Sequence, residues 1–237
     1  MPREYRTGDD LRRVHWRATA QAGELMVRRE EQPWRSRATI VLDLREVAHA
    51  GEGSASSLEF AVSAAASIAI HLVRRGFAVR VVDVDGTEVV PDVADGDVEG
   101  LVLDSLAVVG ASASPAVAAH AATLRRQLGD GLLVAVLGRL ELPDADLISR
   151  FRQGSATGLA IVLDTVTWGG AGAAGQAGTV AALLSAAGWR SSLATSADTV
   201  PAAWARLARG LQMASSLADP GTAGRSRDVS PGMAGRA

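Results

Sequence analysis

Charge crowds into the start of the chain, where Arg3, Glu4, Arg6, Asp9, Asp10, Arg12, Arg13 and Arg17 stand among Tyr5, Gly8 and Trp16. Arginine, tyrosine and tryptophan are the side chains that dominate the energetics of protein contacts, so one chemistry open to this stretch is docking. A phosphate or nucleic-acid role is the weaker reading, because Glu4, Asp9 and Asp10 offset the arginines. The alternative is structural. Gly8-Asp9-Asp10 reads as a turn whose aspartate caps the N–H groups of a helix beginning at Leu11. Leu11, Val14 and Ala18 then share one side of that helix, with Arg12, Arg13 and Arg17 elsewhere. On this reading Tyr5 and Trp16 pack on the following domain, Asp9 caps, and Arg12 pairs with a carboxylate. Arg3, Arg6 and Arg13 are left as contact residues, since nothing in a helix start requires them.

Two further patterns have chemical potential. Gly170-Ala-Gly172-Ala-Ala-Gly175 fits the G-x-G-x-x-G spacing whose backbone N–H groups cradle phosphate, with Asp198 about where a ribose-binding acid would fall. Against it, Trp168 and Gly169 push the glycines past the strand end, and an Ala/Gly-rich chain produces such matches freely. The four histidines, His15, His49, His71 and His120, show no His-x-x-x-His spacing and no nucleophile elbow to serve, so catalysis by a histidine pair or triad is not expected. His71 reads as a core or boundary residue.

The elements that must position these residues alternate. Ala38–Asp43, Phe77–Asp83, Gly131–Leu137, Gly158–Val166 and residues 190–194 read as strands. Helices are expected over Ser57–Arg75, Val98–Val108, Pro115–Leu128, Asp144–Gln153, roughly 178–187 and Pro201–Met213. Ser57 with Glu59 marks one helix entry, Gly76 its stop, and Asp85-Gly86 a turn before 87–90. Uninterrupted apolar strands between helices predict a three-layer α/β domain: a doubly wound, mostly parallel, Rossmann-like sheet with right-handed crossovers. Ligands of such sheets sit at the carboxyl ends of the strands, at the switch point. The tail from Ala214 cannot bury enough apolar surface to order itself. The expected segments are 1–35, 36–213 and 214–237.

Composition narrows the classes. The 237 residues are 48% hydrophobic, enough for one sizeable domain with a flanking piece. With 24 basic residues, all arginine, against 26 acidic ones, the net charge of −2 argues against nucleic acid as a partner. The chain has no cysteine, which excludes disulfides, thiolate catalysis and Cys-ligated metals. Phe60–Val73 is the most apolar long run. It is shorter than the about 20 residues a bilayer needs, so it reads as a buried amphipathic helix and no membrane span is expected. Met1-Pro2-Arg3 runs straight into the charged motif, so no signal peptide is expected.

Arg-x-Tyr-x-x-Gly-Asp-x-x-Arg-x-x-x-Trp-x-x-x-Ala over residues 3–20, continuing into Gly23-Glu24-Leu25-Met26-Val27-Arg28 and Glu30, resembles the signature of the domain-of-unknown-function 58 family (DUF 58). The likeness is close over residues 3–30 and looser to about residue 90. The resemblance implies a cytoplasmic domain similar to the type A domain of von Willebrand factor. It sits at the cytoplasmic face of the membrane where the family's membrane helices lie upstream. It also implies partnership with a MoxR-type AAA+ ATPase, and no established reaction. Relatives of the type A domain hold a divalent cation through Asp-x-Ser-x-Ser after the first strand and an Asp after a later one. Here the first strand ends Asp43-Leu44-Arg45-Glu46-Val47, so both serine positions carry other groups, and Asp164 matches the later aspartate. Two carboxylates and an arginine are expected to form an ion pair there, leaving a degenerate cation site. The expected function is a non-enzymatic interaction or scaffold module without cofactor. The alternative is a magnesium- or manganese-dependent adhesion-type domain using Asp43 and Asp164.

Overall fold

The computed structural model describes residues 2–4, 16–24, 26–28, 36–91, 97–113, 117, 120–128, 131–152, 154 and 156–207. The chain divides into two compact units, Met1–Arg35 and Ser36–Ala237. In the first, strands β1 (Pro2–Glu4) and β2 (Met26–Arg28) pair antiparallel with Arg3 opposite Val27. Helix α1 (Trp16–Ala22) ends at Gly23, whose φ of +73° supplies the left-handed residue a helix stop favours. The expected Gly8-Asp9-Asp10 turn and helix start at Leu11 lie outside the described residues.

The second unit is built on a six-stranded sheet. Its strands are β3 (Arg37–Leu42), β4 (Ala78–Asp83), β5 (Glu88–Val90), β6 (Leu132–Leu137), β7 (Thr157–Leu163) and β8 (Arg190–Ala194), in the spatial order β5-β4-β3-β6-β7-β8. All neighbours pair parallel except β5, which turns back antiparallel on β4 through Gly86 at φ +89°. The apolar runs of the central strands follow from cover on both faces. Ile40, Leu42, Val134, Val136, Leu159 and Ile161 point into one core, and Val41, Leu133, Ala135, Leu137, Ala160 and Val162 into the other. The first core is closed by α2 (Ser57–Arg74), α3 (Val98–Ala107) and a helix over residues 200–207. The second is closed by α4 (Ala121–Gln127), α5 (Leu142–Ser149) and α6 (Gln176–Ala186). The result is a three-layer α/β fold with a mostly parallel, Rossmann-like sheet.

Several boundaries differ from the sequence reading for local reasons. The β7 strand stops at Leu163 instead of 166, because Thr165–Trp168 winds into a 3-10 turn that Gly169 ends at φ +84°. The α5 helix starts two residues early, with Pro143 in its first turn, where a missing N–H costs nothing. The described helix within 115–128 is α4, and the helix expected to reach Met213 is described only to residue 207. Ser56, not Ser57, caps α2, its Oγ accepting the Glu59 N–H at 3.2 Å. At the other end Gly76 (φ +84°) lets Phe77 N donate to Leu72 O, closing the last turn. By length and composition α2 is apolar enough to cross a membrane, with mean hydropathy 1.3. Its Ala61, Ala64, Ala65, Ile68, Ala69 and Leu72 form a buried stripe packed in the first core, and the small alanines let the helix approach the strands closely.

Candidate functional site

Strand β3 lies where the sheet order reverses, with β4 on one side and β6 on the other, so its carboxyl end is the switch-point crevice. Asp43 stands there, fixed by its N–H donating to Val136 O at 2.9 Å. Two residues on, the backbone is tied to a neighbouring segment: Ser112 N donates to Leu44 O at 2.6 Å and Glu46 N to Ser112 O at 2.9 Å. This turn sends the Arg45 side chain back over Asp43. Nε and Nη2 donate to Asp43 Oδ1 and Oδ2, both at 2.9 Å, a bidentate fork. Nη1 reaches Asp144 Oδ2 at 3.4 Å and Nη2 the Arg139 carbonyl at 3.2 Å. Asp43 also accepts Arg45 N and Gly138 N, each at 3.2 Å. Gly138 has no room for a side chain, since a Cβ there would overlap the Ala48 carbonyl oxygen.

The charge balance follows from burial. Desolvation alone would loosen the proton of Arg45, but its bonds to Asp43 and the charges of Asp43, Asp144 and Asp83 outweigh it and hold the pKa above its ordinary value. Asp83, at the end of β4, is pushed up to about 6 by burial, against the opposing bonds from Leu44 N and Val84 N. Burial also lowers His49, and the nearby Arg45 adds to the effect, against the opposing influence of Asp43. The neutral imidazole is fully used: Nε2–H donates to the Asp43 carbonyl at 2.6 Å, and Nδ1 accepts from Ser57 Oγ at 3.1 Å. Ser57 Oγ accepts Ala50 N at 2.9 Å and its residue is wholly buried, so this serine is a latch for the loop, closed to any substrate.

A divalent cation does not fit these residues. Both Asp43 oxygens are occupied by N–H donors, and the guanidinium lies against the carboxylates a cation would need. Among the described residues no group of three or more His, Asp or Glu is placed to hold a metal. The expected ion pair forms with a different second carboxylate. Asp144 joins Arg45, whereas Asp164, at the end of β7, is half-buried and held by its backbone, its N–H on Ala194 O and its carbonyl accepting from Thr167.

The glycine-rich stretch is also separated from its strand. The 3-10 turn intervenes between β7 and Gly170, and a Cβ on Gly170 would press to 2.8 Å on Ala50 and on Thr165 O, so this glycine serves packing. Gln176, at the start of α6, donates to Leu140 O at 2.9 Å and accepts Ala173 N at 3.4 Å. The recess these loops share with Arg139, Asp164 and Thr165 has an open volume of about 10 Å³, space for a single water. Asp198 is engaged by Arg206 at 2.8 Å and by Thr195, which bring it down to about 2.

Of the signature residues, Arg3 lies on β1 and Trp16 opens α1; Tyr5, Arg6, Gly8, Asp9, Arg12 and Arg13 lie outside the described residues. Trp16 is 73% exposed. His71, read as core or boundary, is exposed and meets Trp204 edge-on. Around the strand ends Val47, Leu142 and Val166 stand exposed, and Arg139 ties two of the loops by donating to Val47 O at 3.2 Å. Asp144, Arg139 and Gly138 were not singled out by sequence as site residues, and Ser57 was read only as a helix entry. Asp144 carried one usable signal, an acid just after a proline in a helix's first turn.

The family described as "Protein of unknown function DUF58" matches the chain over residues 2–132. No curated protein and no solved structure matches it.

Proposed function

The chain belongs to the DUF58 family, and from that premise we propose that it is a non-enzymatic protein-interaction module with a von Willebrand type A-like sheet domain, working with a MoxR-type AAA+ ATPase at the cytoplasmic face of the membrane. One observation carries the reading: the crevice where an α/β sheet receives a small ligand is filled by Arg45, while Val47, Leu142 and Val166 stand exposed around it. A surface with a plugged centre and an apolar border suits a macromolecule better than a substrate. The type A likeness is supported by the single antiparallel edge strand β5 on a parallel sheet of this order. A second contact is supported by the exposed Trp16 and Arg17 of α1, side chains of the kind that anchor interfaces.

The test is capture of the purified ATPase on immobilised full chain, comparing wild type with Arg6→Glu, Arg13→Glu and Leu142→Ser. Binding by wild type that falls at least tenfold in the arginine variants supports docking through the signature. Unchanged binding in those variants removes the signature as the contact, and no binding by wild type removes the partnership.

A further inference from the structure

We infer that the Arg45 guanidinium is the resident cation of the switch-point crevice, a covalently tethered replacement for a divalent ion that makes the assembly of this rim independent of free metal. Four oxygens converge on the guanidinium: both carboxylate oxygens of Asp43 at 2.9 Å, Asp144 Oδ2 at 3.4 Å and the Arg139 carbonyl at 3.2 Å. Carboxylate and carbonyl oxygens are the set a hard cation takes, yet here they surround a planar organic cation whose N–H groups point at each in turn. They come from three separate places, the β3 end, the loop after β6 and the first turn of α5. The positive charge therefore holds together loops that would otherwise present two carboxylates to each other in a nearly dry site.

A free ion would do the same work reversibly, and chelation would undo it. A tethered cation cannot leave. The rim is consequently fixed in one state, and partner binding through it is indifferent to chelators. This last consequence rests on the interaction-module reading, whereas the tethered-cation assignment itself does not, and its test needs no partner.

The test removes the tether and offers the ion back. Arg45→Ser deletes the cation and leaves a space with a hydroxyl; Arg45→Met deletes the charge but keeps the volume filled. Melting temperature is read for both, for wild type and for Asp43→Asn/Arg45→Ser, in EDTA and at 10 mM MnCl2. The expected result is a low Tm for Arg45→Ser that manganese raises by about 3 °C or more, with shifts below about 1 °C in the other three proteins. If Arg45→Ser folds only when refolded with manganese, the inference stands. A folded Arg45→Ser that ignores manganese, or one that fails to fold with or without it, overturns the inference. So does a wild type stabilised by manganese in an Asp43-dependent way. ATPase capture unchanged by EDTA is the separate expectation for the partner; sensitivity to EDTA there, with the melting results as expected, would count against the rim as the docking face and leave the tethered cation intact.

Discussion

Arg45 reaches back over one turn of chain to grip Asp43 with two parallel hydrogen bonds of 2.9 Å, the two side chains being 3% and 0% exposed. An arginine this deep is tolerable only because every direction it points in holds an oxygen. Removing one partner leaves a buried, unpaired charge, which is far worse than never having had the pair.

Arg45→Leu should therefore lower the unfolding free energy by about 3–5 kcal/mol, and Asp43→Leu/Arg45→Leu should recover much of that loss. Urea denaturation of the three proteins measures both steps. A single variant within about 1 kcal/mol of wild type would mean that water reaches the pair and screens it.

Asp83 predicts an unusual response to pH. Its folded pKa of about 6 lies above the ordinary 3.8, so its contribution is fully present below pH 3.8 and is lost as pH rises through 6. Asp83→Asn keeps an oxygen for Leu44 N and Val84 N without the charge. Its stability relative to wild type should rise between pH 4 and pH 8 by about 2 kcal/mol, read from urea titrations at each pH. A constant difference across that range would show that Asp83 is solvated like a surface carboxylate.

His49 pulls the other way. Its folded pKa is depressed, so its contribution is present above pH 6.5 and is lost as pH falls below that value. The imidazole signals of His49 in an NMR titration should have a midpoint below 6.5. A midpoint at or above it would contradict the neutral ring that links Asp43 and Ser57.

The adjacent serines at the start of α2 separate a cap from a latch. Ser56→Ala removes a capping acceptor and should cost about 1 kcal/mol. Ser57→Ala strands Ala50 N and His49 Nδ1 in a buried site and should cost about 2–3 kcal/mol. Equal losses would dismiss the latch.

The layered architecture was legible because β6 is apolar at every position and β3 and β7 end in the apolar runs Ile40–Leu42 and Leu159–Leu163, as a sheet covered on both faces requires. The Asp43–Arg45 contact was legible too, since an arginine two residues beyond a strand-end aspartate has few other partners. Asp144 was not, because its place beside Arg45 depends on how α5 crosses the sheet, and nothing local to Pro143-Asp144 encodes that. Nor was Ser57. Read as a helix entry, it is one residue inside the cap, and its true partners come from a loop seven and eight positions earlier.

The two strands at the centre of the sheet, β3 and β6, lie side by side with Ala38 opposite Leu132, although α2, β4, β5, α3 and α4 all come between them in sequence. Before that pairing yields any stabilisation the chain must close a very long loop, an entropic barrier met early and repaid late. Refolding should accordingly be slow for a domain of this size, with the outer edge of β3 open to wrong neighbours until β6 arrives.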